Sequence, residues 1–281
     1  MAGRPRGALA LIKLIATDLD GTLLRADGTV SGRTRAALRA AEDAGLVIAF
    51  VTGRPPRWLD DVIETTGHLG VAVGANGAVL YDMATEQVLV SHSLTVDAMR
   101  QVATQLRASF PDVQFAAEYG QSFAAEPGYV HDWEINPRLD RRGFPPPDPI
   151  VGDLDLVTSQ PALKLLAKDR GADADEFLSA ADGLLAGRAS VTHSSAYGLL
   201  EIAAPGVTKA TGLAELASRH GIGAAEVVAI GDMPNDVPML QWAGRSYAVA
   251  NAHPAARAAA DEICASNEQD AVAVIVEALL A

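Results

Sequence analysis

The chain has 281 residues, 49% of them hydrophobic, with 35 acidic side chains against 22 Lys and Arg and a formal net charge of −13. That length supplies one large core or two modest ones, and the acidic balance speaks against binding the phosphate backbone of a nucleic acid. The single cysteine, Cys264, excludes an internal disulfide and a cysteine metal cage.

At the start, Arg4 and Arg6 precede an apolar stretch from Gly7 to Ala16 in the manner of a signal peptide. Lys13 interrupts that stretch, no small-residue cleavage site follows, and it runs directly into Asp18-Leu19-Asp20-Gly21-Thr22. The stretch therefore reads as a buried strand, Leu11 to Thr17, rather than a leader. No apolar run reaches membrane-spanning length, so the expectation is a cytoplasmic protein with no membrane partner.

Gly32 to Ala44 reads as a helix with Ala36, Ala37, Ala40 and Ala41 on one stripe and Gly45 as its stop. Leu46 to Thr52 is a second buried strand, Trp58 to Thr66 a helix, and Val71 to Gly74 a third strand before the hairpin signal Asn76-Gly77. Strand and helix alternate as in a doubly wound α/β sheet.

The pattern then changes. Gln87 to Ser93 and Val113 to Glu118 read as extended, on either side of a helix from Val96 to Phe110 with Met99, Val102, Ala103 and Leu106 on its inner face. Pro137 to Asp155, with Pro145-Pro146-Pro147, reads as an exposed irregular loop. Leu163 to Ala167 and Ser190 to His193 are strands around a helix from Ala174 to Ala186, which makes an α+β module. Lys164 interrupts its apolar run, as a solvent-facing strand position would.

After Gly198 the first pattern resumes: helix Thr208 to His220, strand Val227 to Ile230, helix Pro234 to Trp242, strand Ser246 to Ala250, helix Ala255 to Ala260 and a closing helix Ala271 to Leu280. The expected organisation is a core of residues 1–83 and 195–281 interrupted by an inserted module at 84–194.

Ligands of an open α/β sheet sit beyond the carboxyl ends of its strands. The first strand delivers Asp18, Asp20 and Thr22 there, the second Thr52, Gly53 and Arg54, the third Asn76 and Gly77, and the later one Asp232, Asn235 and Asp236. Lys209 opens the helix before that last strand. Carboxylates crowded together repel unless a cation or a shared proton intervenes, and Mg²⁺ suits a site of few carboxylates plus a substrate phosphate. Taken alone, Asp-x-Asp-Gly is an ordinary turn. An EF-hand does not fit, because Leu23 and Thr29 stand where its Gly and Glu belong, and no Walker phosphate loop occurs.

Taken together and in this order, Asp18-Leu19-Asp20-Gly21-Thr22, Thr52-Gly53-Arg54, Lys209 and Gly231-Asp232-x-x-Asn235-Asp236 resemble the haloacid dehalogenase (HAD) superfamily. Ala75-Asn76-Gly77-Ala78 and Ala248-Val249-Ala250-Asn251-Ala252 are similar to its Cof-type phosphatases of subclass IIB, which carry a large cap after the third strand. The resemblance implies a Rossmann-like, mostly parallel HAD core with an α+β cap that selects a small phosphorylated substrate, in a monomer or small homo-oligomer.

It implies Asp18 as nucleophile and Asp20 as general acid and base, with Thr52, Gly53, Lys209 and Asn235 on the phosphoryl group. Mg²⁺ would be held by Asp18, Asp232 and the Asp20 backbone carbonyl, Asp236 would orient Lys209 or the metal shell, and Gly21 would permit close approach. Met233 departs from the subgroup, which often has Asn there. Arg54 reads as a substrate or cap contact, or as a surface salt bridge. Tyr119, Phe123, His131 and Trp133 read as cap packing, with a substrate wall as the alternative. A phosphomutase, a carbon–halogen hydrolase and a non-catalytic binding protein are the rival functions.

Overall fold

β1 (Leu14–Thr17) is buried at all four positions and lies between β2 (Val47–Val51) and β12 (Val227–Gly231), parallel to both. Continuous apolar runs of this kind belong in a sheet covered on both faces. In the computed structural model, which describes residues 11–129, 150–195 and 197–281, the sheet extends through β13 (Arg245–Ala248) and β14 (Glu262–Ile263) on one side. On the other side follow β3 (Val71–Gly74), then the antiparallel pair β4 (Val79–Asp82) and β5 (Gln87–Ser91).

The helices start where their caps require. Ser31 accepts from the Thr34 N–H to open α1 (Gly32–Asp43), and Thr208 and Thr211 form a reciprocal capping box at α6 (Lys209–Arg219). α1 packs against α9 (Ala271–Leu280), and α6 packs against α7 (Val237–Trp242). Gly77, at φ +98°, forms the tip of the β3–β4 hairpin, and a Cβ there would lie 2.0 Å from the Thr208 carbonyl oxygen. The hairpin tip is thereby pressed against the start of the Lys209 helix.

A second sheet of six strands has the order β10 (Ser190–Thr192), β11 (Tyr197–Ala203), β9 (Lys164–Asp173), β6 (Gln114–Glu118), β7 (Phe123–Ala125) and β8 (Ile150–Val151). α3 (Val96–Ser109) and α5 (Ala174–Leu185) share one apolar core with it, centred on Met99, Phe115, Leu165 and Phe177. Among the described residues no helix is long and apolar enough to cross a membrane.

Four expectations need correction. Residues 87–91 complete the first sheet and 197–203 lie inside the second, so the expected junctions at 84 and 195 fall in the turns between paired strands and separate each strand from its partner. Val88 and Leu89 are exposed on an edge and Glu201 faces inward, which hid both memberships from an apolar-pattern reading. Residues 150–155, expected as loop, hold β8 and the start of a short helix, Leu154–Val157, capped by Asp153. Lys164 is buried rather than solvent-facing. Most of the expected Pro-rich loop, with His131 and Trp133, lies outside the described residues.

Candidate active site

Asp18 and Asp232 leave the carboxyl ends of two adjacent strands. The Asp18 N–H donates to the Ile230 carbonyl at 2.9 Å, and Asp232 follows two residues after Ile230, just past the end of the neighbouring strand. Thr22 Oγ1 donates to Asp232 Oδ1 at 2.9 Å, and the Asp232 carbonyl accepts from the His253 N–H at 2.8 Å. Gly21 has φ +82°, and a Cβ there would come within 2.5 Å of Asp232 Oδ2. Only glycine lets the loop pass this close to the carboxylate.

Lys209 closes the cluster. Its side chain is fully buried, and Nζ donates to Asp18 Oδ1 at 2.6 Å and to Asp236 Oδ1 at 2.5 Å. The other oxygen of Asp236 accepts the N–H groups of Asp232 and Met233, both at 2.9 Å. Asp236 is thus engaged at both oxygens and orients the lysine, one of the two roles open to it from sequence. Met233 lines the adjoining cavity while its backbone N–H keeps the loop geometry.

Three carboxylates and one ammonium are buried here, and the charges do not balance. Burial pushes the Asp18 carboxyl well above its ordinary value; Lys209 opposes this, while Asp236 and Asp232 add repulsion. Burial, then repulsion from Asp236, pushes Asp232 up to about 7. Burial works against the Lys209 charge, yet Asp18 and Asp236 outweigh it and hold the ammonium above its ordinary range. Carboxylate oxygens of Asp18, Asp232 and Asp236 lie within 4.8 Å of one another. A hard divalent cation would relieve the excess negative charge, and the all-oxygen donor set beside the Gly21 cradle suits one.

Asp18, Asp20, Thr52, Gly53, Arg54 and Asn235 line one cavity of about 240 Å³ between the two sheets. Lys209, Asp232 and Asp236 stand behind it, joined to Asp18. Thr52 Oγ1 accepts from the Arg54 N–H at 3.0 Å. The Asp20 side chain is 58% exposed and turned to Arg54, whose guanidinium is buried to 6% and donates to both carboxylate oxygens. Arg54 thus forms an ion pair, the buried guanidinium meeting the half-exposed Asp20, and it lines the cavity as well.

Asn235 is set by a chain of hydrogen bonds that reaches the second sheet. Asn235 Nδ2 donates to Asn76 Oδ1 at 3.1 Å, Asn76 Nδ2 donates to Glu201 Oε2 at 3.0 Å, and Asn235 Oδ1 is buried without a hydrogen-bond partner among the described residues. A carboxylate can only accept, so Glu201 fixes the Asn76 amide and Asn76 in turn fixes Asn235. Asn235 lines the cavity, and the bond to Asn76 engages one of the two N–H groups of its Nδ2.

Sequence reading missed the wall that the second sheet supplies. Lys164 Nζ donates to Glu201 Oε2 at 2.5 Å and to the Gly53 carbonyl at 2.7 Å. Glu118 pairs with Arg57, and both side chains are nearly fully buried. Asp175, on α5, accepts from His193 Nε2 at 2.9 Å and from His253 Nε2 at 3.2 Å, which ties the second sheet to the His253 loop. Charges at alternating positions 164 and 168, and at 201, were the available signal. Phe123 lines the cavity, the alternative kept open for it; Tyr119 instead donates its hydroxyl to the Val157 carbonyl at 2.7 Å.

Comparison with known proteins supplies independent context. The family model described as haloacid dehalogenase-like hydrolase matches residues 15–276. The 5-amino-6-(5-phospho-D-ribitylamino)uracil phosphatase YitU of Bacillus subtilis is 27% identical over 264 residues, covering 92% of this chain and 94% of the relative. A HAD superfamily phosphatase from Bacteroides thetaiotaomicron superposes with TM-score 0.77 at 23% identity, over 98% of this chain and 97% of that one. A sugar phosphatase of HAD subclass IIB superposes with TM-score 0.78 at 19% identity, over 95% and 98%. The two structures share the fold with this chain.

Proposed function

The chain belongs to the haloacid dehalogenase-like hydrolases, and from that premise we propose that it is a Mg²⁺-dependent phosphatase of small phosphorylated metabolites acting through an aspartyl-phosphate on Asp18. One relationship carries this reading: the Asp18 carboxylate, held by Lys209 and crowded by Asp232, lines a cavity large enough for a small ester.

In the first step an Asp18 oxygen attacks phosphorus, the ester P–O bond breaks, and the leaving oxygen takes a proton from Asp20. In the second step water attacks the phosphorus of the aspartyl-phosphate, its proton passes to the Asp20 carboxylate, and inorganic phosphate leaves Asp18 restored. Asp20 does this work once released from Arg54. Thr52 Oγ, whose oxygen already accepts from the Arg54 N–H, turns its own O–H to the phosphoryl group, with the Gly53 backbone beside it. Lys209 stabilises the charge that builds on the phosphoryl oxygens, and Asp236 holds it in place. Asp18 and Asp232, with the Asp20 backbone carbonyl, would hold Mg²⁺, which when bound supplies positive charge opposite the phosphoryl oxygens. The second sheet acts as the cap, excluding water and meeting the organic group.

The test is release of inorganic phosphate from a panel of phosphorylated metabolites by the purified chain. EDTA should stop turnover and Mg²⁺ restore it, and Asp18→Asn should be inactive with an unchanged circular dichroism spectrum. Turnover by Asp18→Asn would remove the nucleophile from this scheme. A bisphosphate requirement without net phosphate release would indicate phosphoryl transfer back to substrate instead.

A further inference from the structure

Granted that Asp18, Asp232 and the Asp20 carbonyl hold the cation of the proposed phosphatase, the site depends on the turn at residues 19–24. The N–H groups of Thr22, Leu23 and Leu24 all donate to the Leu19 carbonyl, at 3.3, 3.0 and 2.8 Å. Thr22 Oγ1 donates to one oxygen of Asp232, and Gly21 is pressed against the other. Gly21, at φ +82° and without a Cβ, allows that approach. The same freedom lets its peptide groups swivel unless something outside the turn holds them.

Two asparagines hold them. Asn251 Nδ2 donates to the Gly21 carbonyl at 2.8 Å, and Asn267 Nδ2 donates to the Leu24 carbonyl at 2.9 Å. The Asn267 N–H donates to Asn251 Oδ1 at 3.1 Å. A backbone N–H can only donate and a carbonyl can only accept, so the two ends of the Asn251 amide cannot exchange places.

Both asparagines follow the carboxyl ends of adjacent strands, β13 and β14. Beyond those ends the Ala250 N–H donates to the Ala265 carbonyl at 3.1 Å, which keeps the two segments together. Two residues past Asn251, the His253 N–H holds the Asp232 carbonyl at 2.8 Å. One short segment therefore fixes both the turn and the aspartate that the turn touches. Asn251 has no contact with the cavity through these bonds; its partners are the Gly21 carbonyl and the Asn267 N–H.

We propose that Asn251, oriented by Asn267, is a positioning residue of the cation site. By pinning the Gly21 carbonyl it keeps Thr22 and the Asp20 carbonyl in register with Asp232, and its loss weakens Mg²⁺ binding rather than substrate binding.

The test is isothermal titration calorimetry of Mg²⁺ into the substrate-free full chain after EDTA treatment. Asn251→Ala and the shape-keeping Asn251→Leu both delete the bond to Gly21 at an exposed position. Each should bind Mg²⁺ about tenfold more weakly, at the low end of the roughly 10–100-fold typical for groups that orient metal ligands. The Mg²⁺ concentration for half-maximal phosphate release should rise by the same factor, with KM at saturating Mg²⁺ changed less than about twofold. Arg257→Ala is the control, because Arg257 donates to the Ala250 carbonyl at 3.2 Å and holds the same segment without touching the turn. It should bind Mg²⁺ as the parent does. Unchanged affinity in both Asn251 variants, or an equal loss in Arg257→Ala, would overturn the positioning role and leave the phosphatase reading standing. A parent chain that takes up no Mg²⁺ would sink the cation site and this role together.

Discussion

Arg54 holds Asp20 by two hydrogen bonds, Nε to Oδ2 at 2.7 Å and Nη2 to Oδ1 at 2.5 Å. A bidentate pair of this kind fixes a carboxylate in both position and charge. If Asp20 handles protons in both steps, it must leave this clamp to do so.

Asp20→Asn should therefore lower kcat by about 10²–10⁴-fold, the usual range for a lost general acid or base. Arg54→Gln should act differently: Asp20 stays chemically intact, so the loss in kcat should be smaller and the pH–rate profile should change shape. Steady-state kinetics of both variants across pH check this. Identical profiles for Arg54→Gln and the parent would show that the clamp has no bearing on the proton transfers.

The acidic cluster makes the stability of the metal-free protein depend on pH. Asp232 is pushed from 3.8 up to about 7, so its native form keeps a proton that the unfolded chain has already released. Stability should then fall as pH rises from about 4 to about 7 and change little from this group above that. Mg²⁺, which needs the carboxylates ionised, should raise the melting temperature more at pH 8 than at pH 5. At a hundred times Kd the gain at pH 8 should be on the order of 5 °C. Differential scanning fluorimetry in EDTA and in Mg²⁺ measures both slopes.

Lys209→Met removes the ammonium from between Asp18 and Asp236, both buried. Breaking a buried pair from one side typically costs about 3–5 kcal/mol, so this variant should melt well below the parent and lack phosphatase activity. Lys209→Met with unchanged stability in urea would mean that the cluster discharges itself by taking up protons.

Glu201→Gln tests the hydrogen-bond chain from the second sheet to Asn235. Glutamine can donate as well as accept, so the Asn76 and Asn235 amides lose their enforced orientation. A hydrogen bond to a charged group contributes about 1.5–3 kcal/mol, which sets an upper bound of roughly ten- to hundredfold on the change in kcat/KM. The split between kcat and KM reports whether the orientation matters to chemistry or to binding.

The first sheet was legible because each of its central strands is an apolar run that ends abruptly in polar residues. Asp18, Lys209, Asp232 and Asp236, read from three separate segments, stand together for that reason. The second sheet was harder. Lys164, Lys168 and Glu201 face a cavity, so they break the apolar rhythm that identifies strands, and Lys164 looks like a surface residue until its partner is known. Pairings such as Arg57, in the turn Pro56–Trp58, with Glu118 of the second sheet, 61 residues apart, leave no local trace in sequence. The amide orientations of Asn76 and Asn235 were hidden for a related cause: they are decided by neighbours far along the chain.

The whole second sheet is one uninterrupted excursion of the chain between Ser91 and Thr208, leaving from a sheet edge and returning just ahead of Lys209. On the proposed phosphatase reading, the residues assigned to the phosphoryl group lie outside that excursion, and much of the remaining cavity wall lies within it. Appetite for a new metabolite can therefore be acquired by altering or exchanging a single continuous piece of gene, while the bond-breaking apparatus is inherited untouched.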